Sequence, residues 1–272
     1  MNRGHGSGRS PIIDSARLLV DPMFATMTTT MRLALLGLAA GAFGAVALPA
    51  AAGSATPVVV ELFTSEGCSS CPPADAYLGE LAKKPGIVAL AYHVDYWDYI
   101  GWKDPFASRE ATERQRRYTA ALGNRFLYTP EMVIDGGRDA TGSDRDTVAE
   151  LIGAREKDTK KLALTLTEKT ADKYAVGIPA SSLTGGATVW LAVFDREHAT
   201  PVAHGENEGR TLKEFNIVRE LRQIGRYDGN RLQIPVELEL TRDKGCAILV
   251  QSDYMPGDGQ GAILGAVLVK QD

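Results

Sequence analysis

Two cysteines, Cys68 and Cys71, are separated by two serines in the segment TSEGCSSCPPAD. Cysteines at this spacing can bind a metal ion, form a structural disulfide, or alternate between dithiol and disulfide. A disulfide across so short a spacer closes a very small loop, so it removes little conformational entropy from the unfolded chain. Because such a bridge stabilises the fold little, the spacing favours an exchangeable redox pair over a structural one.

The rest of the chain offers few additional metal ligands. A structural zinc site needs four ligands, and the sequence contains one further cysteine, Cys246, and no second C-x-x-C or H-x-x-x-H. Copper or zinc handling through Cys68, Cys71 and His93 stays open as an alternative, because His93 ends a neighbouring predicted strand. The main prediction includes no metal and no cofactor. Cys246 lies in the apolar segment GCAILVQ and is predicted to be a buried free thiol.

Local patterns place the cysteine pair between a strand and a helix. The segment 56–64 predicts a buried strand, 74–84 a helix that ends before Pro85-Gly86, and 86–97 a second strand. Cys68 then lies near a helix N-terminus, where free N–H groups and a partial positive charge favour a thiolate. We therefore expect Cys68 to be the attacking thiol and more exposed than Cys71. Pro72 and Pro73 lack N–H groups, so the helix should begin near Cys71.

The remaining segments predict that mixed helices and strands give way to mostly strands near residue 160. A capped helix at 108–123, a hairpin at 128–142 turning at Gly136-Gly137, and a helix at 143–157 give the order β-α-β-α-β-β-α. Beyond residue 160 most segments alternate apolar and polar residues, which is typical of strands in a β-sandwich. One segment there, 211–224, predicts a helix.

Composition and the N-terminus indicate an exported globular protein. The 272 residues are 44% hydrophobic and 24% charged, and the net charge of −4 gives no reason to expect nucleic acid as a partner. Arg32 precedes an apolar run at 33–48 and then small residues, which is the pattern of a secretory signal peptide. The run is shorter than the roughly 20 residues of a membrane span. Residues 1–52 are predicted as leader and signal peptide, with periplasmic or secreted localisation and no stable membrane span after cleavage.

Four motifs together are similar to those of a known family. VVELFTSEGCSSCPPAD, YHVDYWDYIGWKDPFA, YTPEMVIDG and HGENEGR resemble a family of exported bacterial thioredoxin-like proteins known mainly as a domain of unknown function, and the resemblance covers 57–272. It implies an α/β thioredoxin-like domain at 56–158 followed by an all-β sandwich-like domain at 160–272. It also implies that Cys68 attacks, Cys71 resolves, and Thr129 precedes a cis-proline, Pro130, in contact with both cysteines.

Further polar residues are candidates for a binding site. The segment 92–102 places His93, Asp95 and Trp97 at the C-terminal end of a predicted parallel strand, where ligands bind in open α/β sheets. Alternatively, its aromatic residues cover a domain interface. By resemblance Glu61 is a candidate proton relay, although an exposed or paired edge glutamate is the favoured interpretation. The segment HGENEGR (204–210) is predicted to be a solvated turn, or alternatively a loop that docks on the thioredoxin-like domain and lines a substrate groove.

The sequence therefore predicts an exported thiol–disulfide oxidoreductase-like protein that uses the C-x-x-C pair. Its partners would be thiol- or disulfide-containing proteins or small thiols. A non-catalytic thioredoxin-like binding module with a static disulfide is the alternative from a different class. Metal handling is the third.

Overall fold

The computed structural model of the chain describes residues 56–170, 172–183, 185–253 and 261–269. The predicted leader and signal peptide, 1–52, lie outside the described residues. No helix in the described part of the chain combines the length and the apolar character needed to cross a bilayer.

Within those residues the chain forms three α-helices, a short 3-10 helix and eleven strands. The strands are β1 (Val58–Thr64), β2 (Ile87–His93), β3 (Glu131–Ile134), β4 (Arg138–Thr141), β5 (Thr165–Thr170), β6 (Lys173–Ile178), β7 (Ala187–Pro201), β8 (Thr211–Tyr227), β9 (Leu232–Glu237), β10 (Lys244–Ser252) and β11 (Ile263–Val269). The helices are α1 (Pro72–Leu81), the 3-10 helix (Asp95–Ile100), α2 (Arg109–Leu122) and α3 (Arg145–Glu156).

Eight of the strands form one mixed sheet in the order β11-β10-β7-β8-β2-β1-β3-β4. Strands β1 and β2 run parallel, as the β-α-β pattern predicts, and β8 joins β2 in parallel through Ala91 and Ile217. The other neighbours are antiparallel. A second sheet of order β5-β6-β9 packs against β7 and β10 through a shared apolar cluster.

The predicted fold class, an α/β thioredoxin-like domain followed by an all-β sandwich-like domain, is wrong. The order of the first seven strands and α-helices is as predicted, from β1 to α3. However, β8, β7, β10 and β11 continue the same sheet beyond β2, so strands from both halves of the sequence build one large mixed sheet. The described chain is accordingly dominated by strands, with few helices. The predicted boundary between 158 and 160 falls in the segment between α3 and β5.

Strand β8 is the element that the sequence pattern misidentifies. The predicted helix at 211–224 is part of a strand that pairs with β7 from Thr211↔Pro201 to Tyr227↔Ala187, with two register shifts. Asn216 adopts a positive φ of 50° and donates a hydrogen bond to the carbonyl of Ala89 at 2.8 Å. Long-range pairing on both sides of β8 thus overrides its local helical pattern.

Helix caps fix the elements that lead into the site. Cys71 is the N-cap of α1, and Pro72 and Pro73 occupy its first turn, as predicted. Ser108 caps α2 by accepting a hydrogen bond from the N–H of Ala111 at 3.1 Å. Gly123 ends α2 with a φ of 73°, a left-handed conformation that favours glycine. These ends place the C-terminal edge of β1 and β2 beside the start of α1.

Candidate functional site

Cys68 and Cys71 form a disulfide at the turn between β1 and α1, with 5.4 Å between their Cα atoms. Both cysteines are fully buried, at 0% exposure. The prediction that Cys68 is more exposed than Cys71 is therefore wrong for this state. The two intervening serines are exposed, and the Ser70 hydroxyl lies 3.4 Å from Cys68 Sγ. The turn therefore exposes Ser69 and Ser70 to solvent and buries both cysteines.

An aromatic wall closes one side of this turn. A Cβ built on Gly67 would lie 3.1 Å from Trp97 Cβ and 3.4 Å from Ile100 Cδ1, so glycine allows the close approach. Trp97 Nε1 donates a hydrogen bond to Thr129 Oγ1 at 2.8 Å. The peptide bond between Thr129 and Pro130 is cis, as predicted. Trp97 therefore links the segment before Cys68 to the cis-proline loop.

His93 lies at the end of β2 and is held by Asp104. Its Nδ1 donates to Asp104 Oδ2 at 2.7 Å, and that oxygen also accepts the N–H of Glu66 at 2.9 Å. Burial opposes the charged imidazolium, but the Asp104 carboxylate that accepts its hydrogen bond outweighs this effect and raises the pKa of His93 to about 9. Burial alone would raise the pKa of Asp104, whereas His93 and backbone N–H groups hold it below its usual range. A charged pair thus anchors the chain just before Cys68.

Glu214 projects from β8 towards the other side of His93. Its Oε1 lies 3.8 Å from His93 Nε2, too far for a hydrogen bond. Burial raises the pKa of Glu214; the positive charge of His93 partly offsets this rise, and the neighbouring carboxylates add to it. Both Glu214 oxygens, His93 Nε2 and Glu66 Oε1 are buried without a hydrogen-bond partner among the described residues.

Asp75 is a buried acid in the first turn of α1. Its carboxylate accepts a hydrogen bond from Thr64 Oγ1 at 2.8 Å, and its N–H donates to the Cys71 carbonyl at 3.1 Å. Burial raises the pKa of Asp75 to about 7, partly offset by His93 and by the Thr64 hydroxyl. An acid one helical turn after Cys71 can therefore exchange a proton near neutral pH.

The loop between β7 and β8 docks on the cysteine turn. Asn207, in the predicted HGENEGR segment, donates from Nδ2 to the carbonyls of Glu66 and Cys68 at 2.8 and 3.0 Å. The exposed Glu206 accepts the N–H of Ser69 at 3.3 Å. The segment therefore docks on the turn that contains the cysteines rather than forming a solvated turn, and its role in a substrate groove stays a prediction.

Comparisons with known proteins place the chain in a family. The model of a family described as "Protein of unknown function (DUF1223)" matches residues 59–251. The chain belongs to the DUF1223 family. It is also similar to the crystal structure of protein AGR_C_4864 from Agrobacterium tumefaciens, with 34% sequence identity and a TM-score of 0.69. That similarity covers 79% of this chain and 94% of the other. No curated protein matches.

Two candidates from the sequence have structural partners in this DUF1223 protein. Asp95 exchanges two hydrogen bonds with Thr112 Oγ1, which attach the 3-10 helix to α2. Glu61 is fully buried and accepts from Arg114 Nε at 2.7 Å and from the Tyr118 hydroxyl. Glu61 is therefore paired with Arg114 and Tyr118. The buried acid that follows the cysteines in the structure is Asp75, one helical turn after Cys71.

The metal alternative finds no ligand set in the described part of this DUF1223 protein. Those residues contain no group of three or more Cys, His, Asp or Glu side chains arranged to hold a metal ion. Cys68 and Cys71 are bonded to each other, and His93 is bonded to Asp104. Cys246 is a free, buried thiol, as predicted.

Sequence reasoning missed three residues of this site in the DUF1223 chain. These are Asp75, Asp104 and Glu214. Only Asp75 carried a local signal, since it follows the cysteines and lies in the predicted first turn of a helix. Asp104 and Glu214 reach the site only through contacts with His93, and the predicted helix at 211–224 concealed the face on which Glu214 lies.

Proposed function

We propose that this DUF1223 protein is an exported thiol–disulfide oxidoreductase that acts through Cys68 and Cys71. The observation that carries the proposal is the disulfide between two cysteines separated by two residues, with the buried acid Asp75 in the first turn of the helix that Cys71 caps. A bridge of this loop size contributes little to stability, so an exchange role accounts for it better than stapling does. Its partners are thiol- or disulfide-containing proteins or small thiols.

The proposed exchange proceeds in two displacements. A partner thiolate attacks Cys68 Sγ, a mixed disulfide forms, and Cys71 leaves as a thiolate. A second partner thiolate then attacks the partner's sulfur and releases Cys68. The partner loses two electrons, which the cysteine pair gains, and the two new thiolates take up protons. Asp75 and Glu214 are the buried acids that support this step, since burial raises the pKa of both.

Trapping the mixed disulfide tests the exchange. Each displacement is reversible, so in the opposite direction the Cys68 thiolate attacks a partner disulfide and Cys71 then releases the reduced partner. Cys71→Ser keeps the attack by Cys68 but loses the release, so covalent adducts should accumulate. The variant is expressed in the exported compartment and run on non-reducing gels, with Cys68→Ser as the matched control. Adducts that disappear on reduction and are absent from the control support exchange. Their absence from Cys71→Ser contradicts it.

Export has its own test. The proposal rests on the apolar run at 33–48 followed by small residues, and on a disulfide that an oxidising compartment favours. Mass spectrometry of the full chain expressed in a bacterium should find a mature N-terminus between residues 50 and 56 in the periplasm or medium. Retention of the uncleaved chain in the cytoplasm would argue against export.

A second candidate function is a binding module in which the bridge is static. The burial of both cysteines favours it, because a fully buried disulfide is closed to an incoming thiolate. The two candidates differ in how readily the bridge is reduced. A static bridge would leave the Cys71→Ser variant without adducts.

A further inference from the structure

Asn207 is fully buried although it lies in a polar loop between two glycines. Both N–H groups of a carboxamide can donate, and its oxygen can accept. Here Nδ2 donates to two carbonyls of the cysteine turn, those of Glu66 and Cys68, and Oδ1 accepts from Arg210 Nη1 at 2.7 Å. A single side chain therefore connects the β7–β8 loop to the backbone on either side of Gly67.

The loop is closed at its own base and touches the cysteine turn with its tip. The Val202 N–H donates a hydrogen bond to the Arg210 carbonyl at 2.9 Å, and the Gly209 N–H donates to the Val202 carbonyl at 2.9 Å. At the tip, a Cβ built on Gly205 would lie 3.2 Å from Trp102 Cβ. The tip can therefore detach by losing the Asn207 bonds, the weaker bond from Ser69 to Glu206 and the contact of Gly205 with Trp102, without unpairing β7 from β8.

Attack on a disulfide requires an approach to sulfur, and in this closed state both cysteines have no exposed surface. We propose that Asn207 latches the β7–β8 loop over Cys68 and that thiols reach the Cys68–Cys71 disulfide when this latch opens. The inference rests on the proposed exchange for its biological role. The latch itself concerns only access to the bridge.

The test measures how fast dithiothreitol reduces the oxidised protein. One thiolate of the reagent attacks Cys68 Sγ, and Cys71 leaves as a thiolate that takes a proton from water. The second thiol of the reagent, as its thiolate, displaces Cys68 and closes a cyclic disulfide, so the reagent loses two electrons and the cysteine pair gains them. Quenching with an alkylating agent and counting labels by mass spectrometry gives the rate.

Asn207→Asp keeps the size of the side chain but cannot donate to either carbonyl, and Asn207→Ala removes the side chain without adding charge. Loss of two ordinary hydrogen bonds should accelerate reduction by roughly fivefold to a hundredfold. The new negative charge of Asn207→Asp repels the attacking thiolate and by itself would slow reduction. Faster reduction of this variant must therefore come from the lost hydrogen bonds. Arg210→Met, at an exposed position that supports the carboxamide, should accelerate reduction by a smaller factor.

Asn216→Asp is the matched control, because Asn216 also donates to a backbone carbonyl, that of Ala89 in β2, and aspartate tolerates its positive φ. It should be reduced at the rate of the unaltered protein. Unchanged rates in all the Asn207 and Arg210 variants would overturn the latch, as would an equal acceleration in Asn216→Asp. Because these rates need no cellular partner, acceleration combined with no adducts in Cys71→Ser would uphold the latch and refute the oxidoreductase.

Discussion

Replacing Asp75 by asparagine should remove a pH-dependent loss of stability. Burial raises the pKa of this carboxyl from 3.8 to about 7 in the folded protein. Between these two values the folded state keeps the proton and the unfolded state releases it. Stability therefore falls as the pH rises through this window, and the full loss is present above pH 7. Asparagine does not titrate and can still accept the hydrogen bond from Thr64, so the variant should lack this loss.

The size of the effect follows from the shift. One pKa unit corresponds to about 1.4 kcal/mol, so a displacement of about three units corresponds to a loss of up to about 4 kcal/mol for Asp75. The titratable groups that interact with Asp75 are His93, Asp104, Glu66 and Glu214. They are present in both proteins, so the difference between the two stability curves reports the Asp75 carboxyl together with its coupling to these four groups.

Urea unfolding of the oxidised protein at pH 4 to 8 measures this difference. Relative to the unaltered protein, Asp75→Asn should become more stable with rising pH, by a few kcal/mol between pH 4 and pH 8 and with an unchanged m-value. Asp146→Asn removes an exposed carboxylate of α3 and controls for the loss of one negative charge. If the Asp75→Asn curve stays parallel to that of the unaltered protein, Asp75 does not hold its proton in the fold.

Three further predictions concern the frame around the site. Gly79→Ala should destabilise the protein by about 1–3 kcal/mol, because the new Cβ would lie 2.3 Å from the Phe215 ring, whereas Gly153→Ala meets nothing within 4 Å and should gain up to about 1 kcal/mol in urea unfolding. Burial raises the pKa of the Cys246 thiol to about 12, so alkylation of the reduced native protein at pH 8 should spare it, and rapid labelling would contradict its burial. Arg114→Met leaves the carboxylate of its buried ion pair without a cation and should cost about 3–5 kcal/mol; a loss below about 1 kcal/mol would refute that pairing.

Local sequence signals predicted the elements next to the cysteines. Glycine, proline and capping residues act within a few positions of the chain, so the start of α1 at Cys71 and the end of α2 at Gly123 could be predicted without knowledge of the fold. The cis bond before Pro130 came from resemblance to a known family. The path of β8 was not predictable in this way, because its partners β7 and β2 supply the pairing that decides its conformation.

The charged part of the site depends on contacts between distant residues. His93 was a candidate from its position at the end of a strand, but its partners Asp104 and Glu214 come from a loop and from β8. Asn207 lies 139 positions from Cys68, and only the folded chain shows that it donates a hydrogen bond to the Cys68 carbonyl. The expected exposure of Cys68 was wrong because the burial of a side chain depends on the packing of the whole chain, which local sequence signals do not give.

The reduction potential of the Cys68–Cys71 pair tests the central claim most directly. The purified protein is equilibrated with glutathione or dithiothreitol buffers of known potential, and the fraction of reduced protein is counted by alkylation and mass spectrometry. Proteins that exchange disulfides have potentials from about −120 to −270 mV. The proposed function predicts a value in that range. A value below about −300 mV would show a static bridge and contradict the exchange.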